Sequence, residues 1–253
     1  MFNSKRITTM GGDKFRDEYS LAFDGSDDYI VVDGTNIDFG TNDFTLSLWF
    51  HPRGDNTATY FMSQHANNDN RWYFRLDSNG VVHFYSAIGG STAIAFTGDA
   101  VVDANSWNHI VFSVDRDSST GTNVYINGAL DDTGDQSSHS SVDYNISTVS
   151  PDVAGREDFN IGRWSTAYTA AKSISEVAIY HTALSASQVK TLYNGREPYN
   201  HAEGIASNNL KGWWRMGDGL ENGSGTTIYD MSDNTNNGTM NNMTADDFVG
   251  DTP

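Results

Sequence analysis

Apolar and polar residues alternate with a period of two in most of the patterned segments of this chain. In the segment "DFTLSLWF" every second residue is apolar, from Phe44 to Phe50, and "HIVFSVDR" repeats the pattern. A period of two places alternate side chains on opposite faces of a strand. The 253 residues include 24 glycines and 4 prolines, and "NVYINGAL" carries an Asn-Gly hairpin signal. The sequence therefore predicts an all-β protein made of many short strands.

One segment has the pattern of a helix instead. In "ALSASQVKTLYNG", Ser185 and Gln188 have the spacing of a capping box, in which each side chain bonds the other residue's backbone N–H. Gly195 follows where a left-handed residue commonly ends a helix. We therefore expect one short helix near residues 185–194.

The segment "RWYFRLDSNGVVHFYSA" predicts a hairpin whose register depends on its turn. A two-residue turn at Asn79-Gly80 would mix polar and apolar side chains on both faces. A three-residue turn, Ser78 to Gly80, instead pairs Arg75 with His83 and separates an apolar face from a polar one. Burial favours the second register, because a slip of one residue would reverse every side chain.

The polar face of this hairpin is a candidate glycan-binding surface. Aromatic rings stack on the CH faces of sugars, and guanidinium groups hold hydroxyls through several donors. The alternative is an ordinary solvated sheet face, whose arginine and tyrosine side chains pack on one another. We expect a nearby loop to add two rings, so the candidate residues are Arg71, Tyr73, Arg75, His83, Tyr85, Trp164 and Tyr168.

Six segments together resemble the laminin-G-like jelly roll of the concanavalin A-like lectin/glucanase superfamily. They occur in the family's order over roughly residues 19–196: "YSLAFDGSDDYIVV", "DFTLSLWFHP", "SWNHIVFSVD", "VYINGAL", "FNIGRW" and "ISEVAIYHTALSASQVKTLYNG". The resemblance implies a two-sheet antiparallel jelly-roll sandwich, with one concave sheet. It also implies that the first and last strands lie near each other.

The segment after the helix extends the resemblance in an unusual position. "NLKGWWRMGDGLENGSGTTIYDMSDNTNNGTMNN" is similar to a lead-in that comes before the first strand in many family members. We expect residues 208–243 to return along the sandwich and complete it. The predicted division is a basic N-terminal arm, residues 1–18, and one jelly-roll domain, residues 19–253.

Three carboxylates follow the first predicted strand. The resemblance implies a calcium site there, formed by Asp24, Asp27 and Asp28 with an acidic Asp-Glu-Val strand near the domain's end. Calcium takes six to eight oxygen ligands, so clustered aspartates suit it. This chain departs from the pattern because Ser175 replaces the aspartate, which leaves Glu176 as the fourth candidate ligand. Aspartate is also a good turn former without any metal.

The charge is negative and unevenly distributed. A formal net charge of −18 excludes nucleic acid as a partner, since phosphates would be repelled. The predicted arm is basic, with Lys5, Arg6, Lys14 and Arg16. We expect this arm to dock on an acidic partner.

There is no cysteine, no apolar run long enough to span a membrane, and no signal-peptide pattern at the start of the sequence.

The glucanases of this superfamily carry a Glu-x-Asp-x-x-Glu arrangement that supplies a nucleophile and a general acid. This triplet does not occur in the sequence, and the 7 histidines are scattered.

The arrangement with the "KGWWRMGDG" tail also resembles jelly-roll proteins of marine bacteriophages. The predicted function is therefore a non-catalytic structural protein of a virus particle, a head decoration or fibre-type subunit that binds host glycans. We expect it on the capsid or tail surface, as a homo-oligomer or assembly subunit held to other virion proteins by its arm. The alternatives are a free carbohydrate-binding module and, less favoured, a glycoside hydrolase.

Overall fold

Short antiparallel strands make up most of the regular structure. The computed structural model describes residues 15–253 apart from residues 35, 36, 38, 41, 117, 119, 120, 132–157, 166 and 169–171. In chain order the strands are β1 (Ser20–Phe23), β2 (Tyr29–Val32), β3 (Phe44–His51), β4 (Thr59–Asn67), β5 (Asn70–Leu76), β6 (Val82–Ile88), β7 (Ser91–Thr97), β8 (Asn108–Val114), β9 (Thr122–Ile126), β10 (Ala129–Leu130), β11 (Phe159–Ile161), β12 (Arg163–Trp164), β13 (Ala167–Tyr168), β14 (Lys172–Tyr180), β15 (Leu210–Trp214), β16 (Thr227–Ile228), β17 (Gly238–Asn241) and β18 (Phe248–Val249).

These strands form two eight-stranded sheets and one small hairpin. The first sheet has the order β10-β9-β8-β3-β14-β1-β18, and β15 pairs with β14. The second sheet has the order β16-β17-β2-β11-β4-β5-β6-β7, and β12 and β13 form a separate two-stranded sheet. The inner faces of the two sheets share one apolar core, which includes Phe44, Phe84 and Phe112. The predicted two-sheet antiparallel jelly-roll sandwich is confirmed.

The one α-helix of the described chain is α1 (Ala186–Tyr193). Ser185 is its N-cap, and the reciprocal bonds with Gln188 form the predicted capping box. At the other end, Asn194 has φ 49 and Gly195 has φ 68, so two successive left-handed residues end the helix. No helix in the described residues is long and apolar enough to cross a membrane.

A second apolar cluster covers the outer face of the first sheet. Strand β3 shows this burial. Its outward side chains, Thr45, Ser47 and Trp49, are as buried as the residues that face the core. The covering layer comes from α1 and the segment that follows it. The cluster consists of Val111, Tyr125, Ala178, Tyr180, Leu184, Val189, Leu192, Leu210, Trp213 and Met231. The first sheet is thus buried on both faces.

The last forty or so residues add strands to both sheets. Strand β15 pairs with β14, and β17 pairs with β2 on the other side of the sandwich. The C-terminal strand β18 pairs with β1, so the two ends of the described chain meet in the first sheet. The division into an arm and a single domain stays a prediction.

Candidate functional site

The β5–β6 hairpin has the register that burial favoured. Arg75 pairs with His83, and Tyr73 pairs with Tyr85. The turn places Gly80 at φ 80, the left-handed conformation that a three-residue connection needs. The apolar partners on the other side of the hairpin, including Trp72 and Phe84, are fully buried in the core. The polar face of the hairpin therefore lies on the outer side of the second sheet.

The structure brings the predicted hairpin residues together with two residues that the sequence analysis missed. Tyr60 and His65 lie on β4, which pairs with β5 opposite Arg75 and Arg71 respectively. A register shift between Tyr60 and Met62 hides Tyr60 from a strict alternation pattern. We call the following set the aromatic face: Tyr60, His65, Arg71, Tyr73, Arg75, His83, Tyr85 and Trp164. All of these residues are half-buried.

The rings of the aromatic face are in contact with one another. Tyr73 stacks on Tyr85 with centroids 5.4 Å apart and on His83 at 5.7 Å. Trp164 stacks on Tyr60 at 5.4 Å, and it meets the edges of Tyr73 and His65 at 5.3 and 5.5 Å. The result is a continuous aromatic surface across three neighbouring strands.

The cations of this surface lie over its rings. The Arg71 guanidinium is 5.5 Å from the Tyr85 centroid, and that of Arg75 is 5.4 Å from Tyr73 and 5.7 Å from Tyr60. Burial raises the pKa of the Tyr73 phenol above its usual value, so this hydroxyl stays protonated and remains a donor at neutral pH.

Trp164 reaches the face because the β12–β13 hairpin lies against the outer side of the sheet. The Ser63 hydroxyl donates to the Arg163 carbonyl at 2.6 Å, and the Arg163 guanidinium packs 4.2 Å from the Tyr29 ring centroid. Tyr168 pairs with Arg163 across this small hairpin. The Tyr168 side chain is not among the described parts of the structure, so the glycan-binding role of Tyr168 stays a prediction.

The three aspartates of the predicted calcium site do lie together. One carboxylate oxygen from each of Asp24, Asp27 and Asp28 falls within 4.8 Å of the others. Asp28 is buried and accepts a hydrogen bond from the Asp24 backbone N–H at 2.8 Å. Burial, together with the neighbouring carboxylates, raises the pKa of Asp28 to about 6. The three carboxylates offer the oxygen ligands that calcium prefers. Hydrogen bonds within the turn also explain the positions of Asp24 and Asp28 without a metal.

Glu176 is not part of this cluster, so the four-residue calcium site is wrong in this respect. Asp24 follows the end of β1 that pairs with Lys172. Glu176 lies two residues past Ile174 in β14, and is therefore near the other end of β1. Its side chain is buried and bonded to Arg215 at 2.8 Å and to the Trp213 indole N–H. Its φ of 49 marks a bulge, which explains the difference because the extra residue re-aims the side chain.

Arg215 also binds the last residues of the predicted basic arm. Its Nη2 donates to the Asp17 carboxylate and to the Arg16 carbonyl, both at 2.7 Å. The Phe15 ring lies 4.2 Å from the guanidinium. Residues 15–18 thus pack against the sandwich, and the division at residue 18 stays a prediction. Lys5, Arg6 and Lys14 lie outside the described residues.

Comparison with known proteins agrees with this architecture. A predicted carbohydrate binding protein from Bacteroides ovatus superposes with a TM-score of 0.57 at 18% identity, over 89% of this chain and 58% of that one. The chain thus spans little more than half of that protein. A CBM40 module of a Ruminococcus gnavus sialidase, bound to α2,3-sialyllactose, gives a TM-score of 0.52 at 15% identity, over 69% of this chain and 96% of that one.

At such identities these superpositions establish the fold and nothing more about this protein. No curated protein sequence matches the chain. A family model described as "Concanavalin A-like lectin/glucanases superfamily" (Laminin_G_3) matches residues 24–190. This match covers more than half of the chain, so the protein belongs to the concanavalin A-like lectin/glucanase superfamily.

Proposed function

We propose that this protein is a non-catalytic carbohydrate-binding module whose ligand lies on the aromatic face. The observation that carries the proposal is the continuous row of rings across β4, β5 and β6, with Trp164 added from a separate hairpin. Aromatic side chains at a surface offer apolar contact and, in tyrosine and tryptophan, a polar group at one end. A sugar needs both, because it presents CH groups and hydroxyls together.

The two sheets differ in a way that supports this location. The outer face of the first sheet is covered by the second apolar cluster. The outer face of the second sheet carries half-buried tyrosine, histidine and arginine side chains instead. The names of the Bacteroides and Ruminococcus proteins are consistent with a carbohydrate ligand for this fold.

The test is the double substitution Tyr73→Ala with Tyr85→Ala, assayed by affinity electrophoresis in gels containing different soluble polysaccharides. We expect the wild-type chain to be retarded by at least one polysaccharide and the double variant to lose that retardation. Tyr229→Ala is the matched control, because this half-buried tyrosine lies in the chain that follows β16, away from the aromatic face.

Thermal melting separates binding from folding in this test. Tyr73→Phe with Tyr85→Phe keeps the stacked rings and removes only the hydroxyls, so its melting temperature should stay close to that of the wild type. Unchanged retardation of a folded Tyr73→Ala, Tyr85→Ala variant would contradict the proposal.

A structural role in a virus particle is the second candidate. It is supported by the basic residues Lys5, Arg6 and Lys14 ahead of an acidic body, and by the resemblance of the tail to phage jelly rolls. In that case the aromatic face would serve adhesion to host glycans. Calcium is likewise proposed only for the cluster of Asp24, Asp27 and Asp28, without Glu176.

A further inference from the structure

We infer that the ligand of the aromatic face is an anionic sugar, one that carries a carboxylate or a sulfate group. This inference rests on the proposed function, because it names the ligand class of the same site. It is based on the distribution of charge over the described chain, and on the lack of carboxylate partners for Arg71 and Arg75.

Acidic residues are scarce where the rings lie. The chain has 33 Asp and Glu residues against 15 Lys and Arg residues, so an average surface patch is negative. The outward positions on the three central strands contain no acidic residue. They are Tyr60, Ser63, His65, Arg71, Tyr73, Arg75, His83, Tyr85 and Ala87.

The arginines of this face have no carboxylate partner among the described residues. The ion pairs found there join Lys172 to Asp55 and Arg215 to Asp17 and Glu176. Arg71 and Arg75 take part in none of them. In a chain with about two acids for every base, two half-buried arginines without a counter-charge are unexpected, because partial burial of an unpaired charge is unfavourable.

Hydrogen bonding gives an independent indication. The Nε–H groups of Arg71 and Arg75 are buried and have no acceptor among the described residues. Arg71 still donates from Nη1 to the Asn68 carbonyl. Within the described part of the chain, the Arg75 guanidinium contacts the rings of Tyr60 and Tyr73 and no carboxylate. Buried donors in folded proteins are normally satisfied, so two arginines with unsatisfied donors favour a ligand that brings acceptor groups to these side chains.

A planar guanidinium held over rings is well suited to that acceptor. It presents a rigid fork of N–H groups that matches a carboxylate or a sulfate through two parallel bonds. The rings keep the guanidinium of Arg75 in place, so little side-chain entropy is lost when the anion binds. The sugar ring would then lie along the aromatic row, with its charged group at Arg75 or Arg71.

The net charge of −18 does not prevent such binding. At physiological ionic strength the Debye length is about 8 Å, so carboxylates elsewhere on the surface act weakly on a ligand at this face. The attraction between the anionic group of the ligand and an arginine without a carboxylate partner is therefore the main electrostatic contribution at this face. The same screening predicts that added salt weakens the binding.

The experiment is isothermal titration calorimetry of the full chain with matched oligosaccharides. One pair is tetragalacturonate and its methyl ester, which share a backbone and differ in charge. The second pair is a carrageenan oligosaccharide and its desulfated form. The variants are Arg75→Gln and, as the matched control, Arg196→Gln, since Arg196 is exposed and follows α1 away from the face.

We expect at least one charged oligosaccharide to bind about tenfold more tightly than its uncharged form. Arg75→Gln should weaken that binding about tenfold, and Arg75→Lys, which keeps the charge and loses the fork, should have a smaller effect. Arg196→Gln should bind like the wild type. The pair that shows the charge preference identifies the anion as a carboxylate or a sulfate.

Equal affinity for charged and uncharged forms, or no effect of Arg75→Gln in a variant that melts like the wild type, would overturn the inference and leave the proposed function standing. Absence of binding to every oligosaccharide and to every polysaccharide in the electrophoresis would contradict both.

Discussion

The guanidinium of Arg215 lies where the start and the end of the described chain meet, buried between two carboxylates. It bonds Asp17 and Glu176, which come from segments far apart in the sequence. Burial and the neighbouring Asp17 carboxylate raise the pKa of Glu176 well above its usual range. Two buried acids share one base, so the neighbouring carboxylate and the burial both disfavour the ionised form of Glu176.

This arrangement predicts opposite outcomes for two substitutions. Arg215→Met should lower the free energy of unfolding by about 3–5 kcal/mol, because it leaves buried carboxylates without a counter-charge. Glu176→Gln should be tolerated, because an amide keeps the shape of the protonated acid and can donate to Asp17. Urea denaturation of both variants at neutral pH is the measurement. A larger loss for Glu176→Gln than for Arg215→Met would show that Glu176 is ionised.

Asp28 gives a pH-dependent prediction at the same scale. Its pKa of about 6 lies above the usual value of 3.8 for an aspartate, so in this pH range the folded state holds a proton that the unfolded chain releases. The contribution of Asp28 to the unfolding free energy should therefore decrease as pH rises from about 4 to about 6. Asp28→Asn lacks this dependence, so the unfolding free energy of the wild type minus that of the variant should fall over that range.

Calcium should reverse the trend if the proposed site binds it. A cation among Asp24, Asp27 and Asp28 favours the ionised carboxylates and lowers the pKa of Asp28. Carbon-detected NMR titration of the Asp28 carboxyl, with and without calcium, measures this directly. An identical titration curve in both conditions would rule calcium out at this cluster.

Turns decide the geometry at the scale of elements. The β5–β6 hairpin keeps its rings on one face because the Ser78–Gly80 turn fixes the register. Gly80 has φ 80, and a Cβ added there would lie 2.6 Å from the Asn56 side-chain nitrogen. Asn56 in turn donates to the Val102 carbonyl at 2.9 Å. The turn is thus tied to the loops around it.

Gly80→Ala should therefore cost more stability than an equivalent change elsewhere. Gly225 is the matched control, because it has φ 79 and nothing within 4 Å of an added Cβ. We expect Gly225→Ala to cost about 1 kcal/mol from backbone strain alone, and Gly80→Ala to cost about 1–2 kcal/mol more because Asn56 has to move. Chemical denaturation compares the two. Equal losses would mean that the Asn56 contact adds nothing.

At the scale of the whole molecule, the two ends of the described chain are held together. Asp218 accepts from the backbone N–H groups of Glu18 and Tyr19, and the Ser20 hydroxyl donates to the Asp251 carbonyl. With the Arg215 contacts, these bonds make residues 15–20 part of the sandwich. A truncation that respects this boundary should leave the fold intact.

Removal of residues 1–14 should therefore leave the melting temperature nearly unchanged, whereas removal of residues 1–18 deletes Asp17 and should lower it by roughly 10 °C. Differential scanning calorimetry of the two truncations tests this difference. The shorter truncation also tests the virion proposal, since a folded chain that lacks the basic residues should fail to enter its particle. Normal incorporation of that truncation would argue against an assembly arm.

Much of the fold follows from local sequence. The period of two, the capping box of α1 and the Gly80 turn are short-range features, because strand faces, helix caps and turns are set by residues within a few positions of each other. The hairpin face of Arg71, Tyr73, Arg75, His83 and Tyr85 follows from them. The sequence also predicted the clustering of Asp24, Asp27 and Asp28, since one turn contains all three.

Only the tertiary structure decided what these elements meet. Tyr60 enters the aromatic face past an irregularity in β4, and Trp164 arrives on a hairpin whose position depends on Ser63. Glu176 faces Arg215 and Asp17 because of a bulge that no periodicity reveals. Such contacts join residues tens to more than a hundred positions apart. Packing of whole layers selects them, and local pattern carries no information about which distant segment will cover a given face.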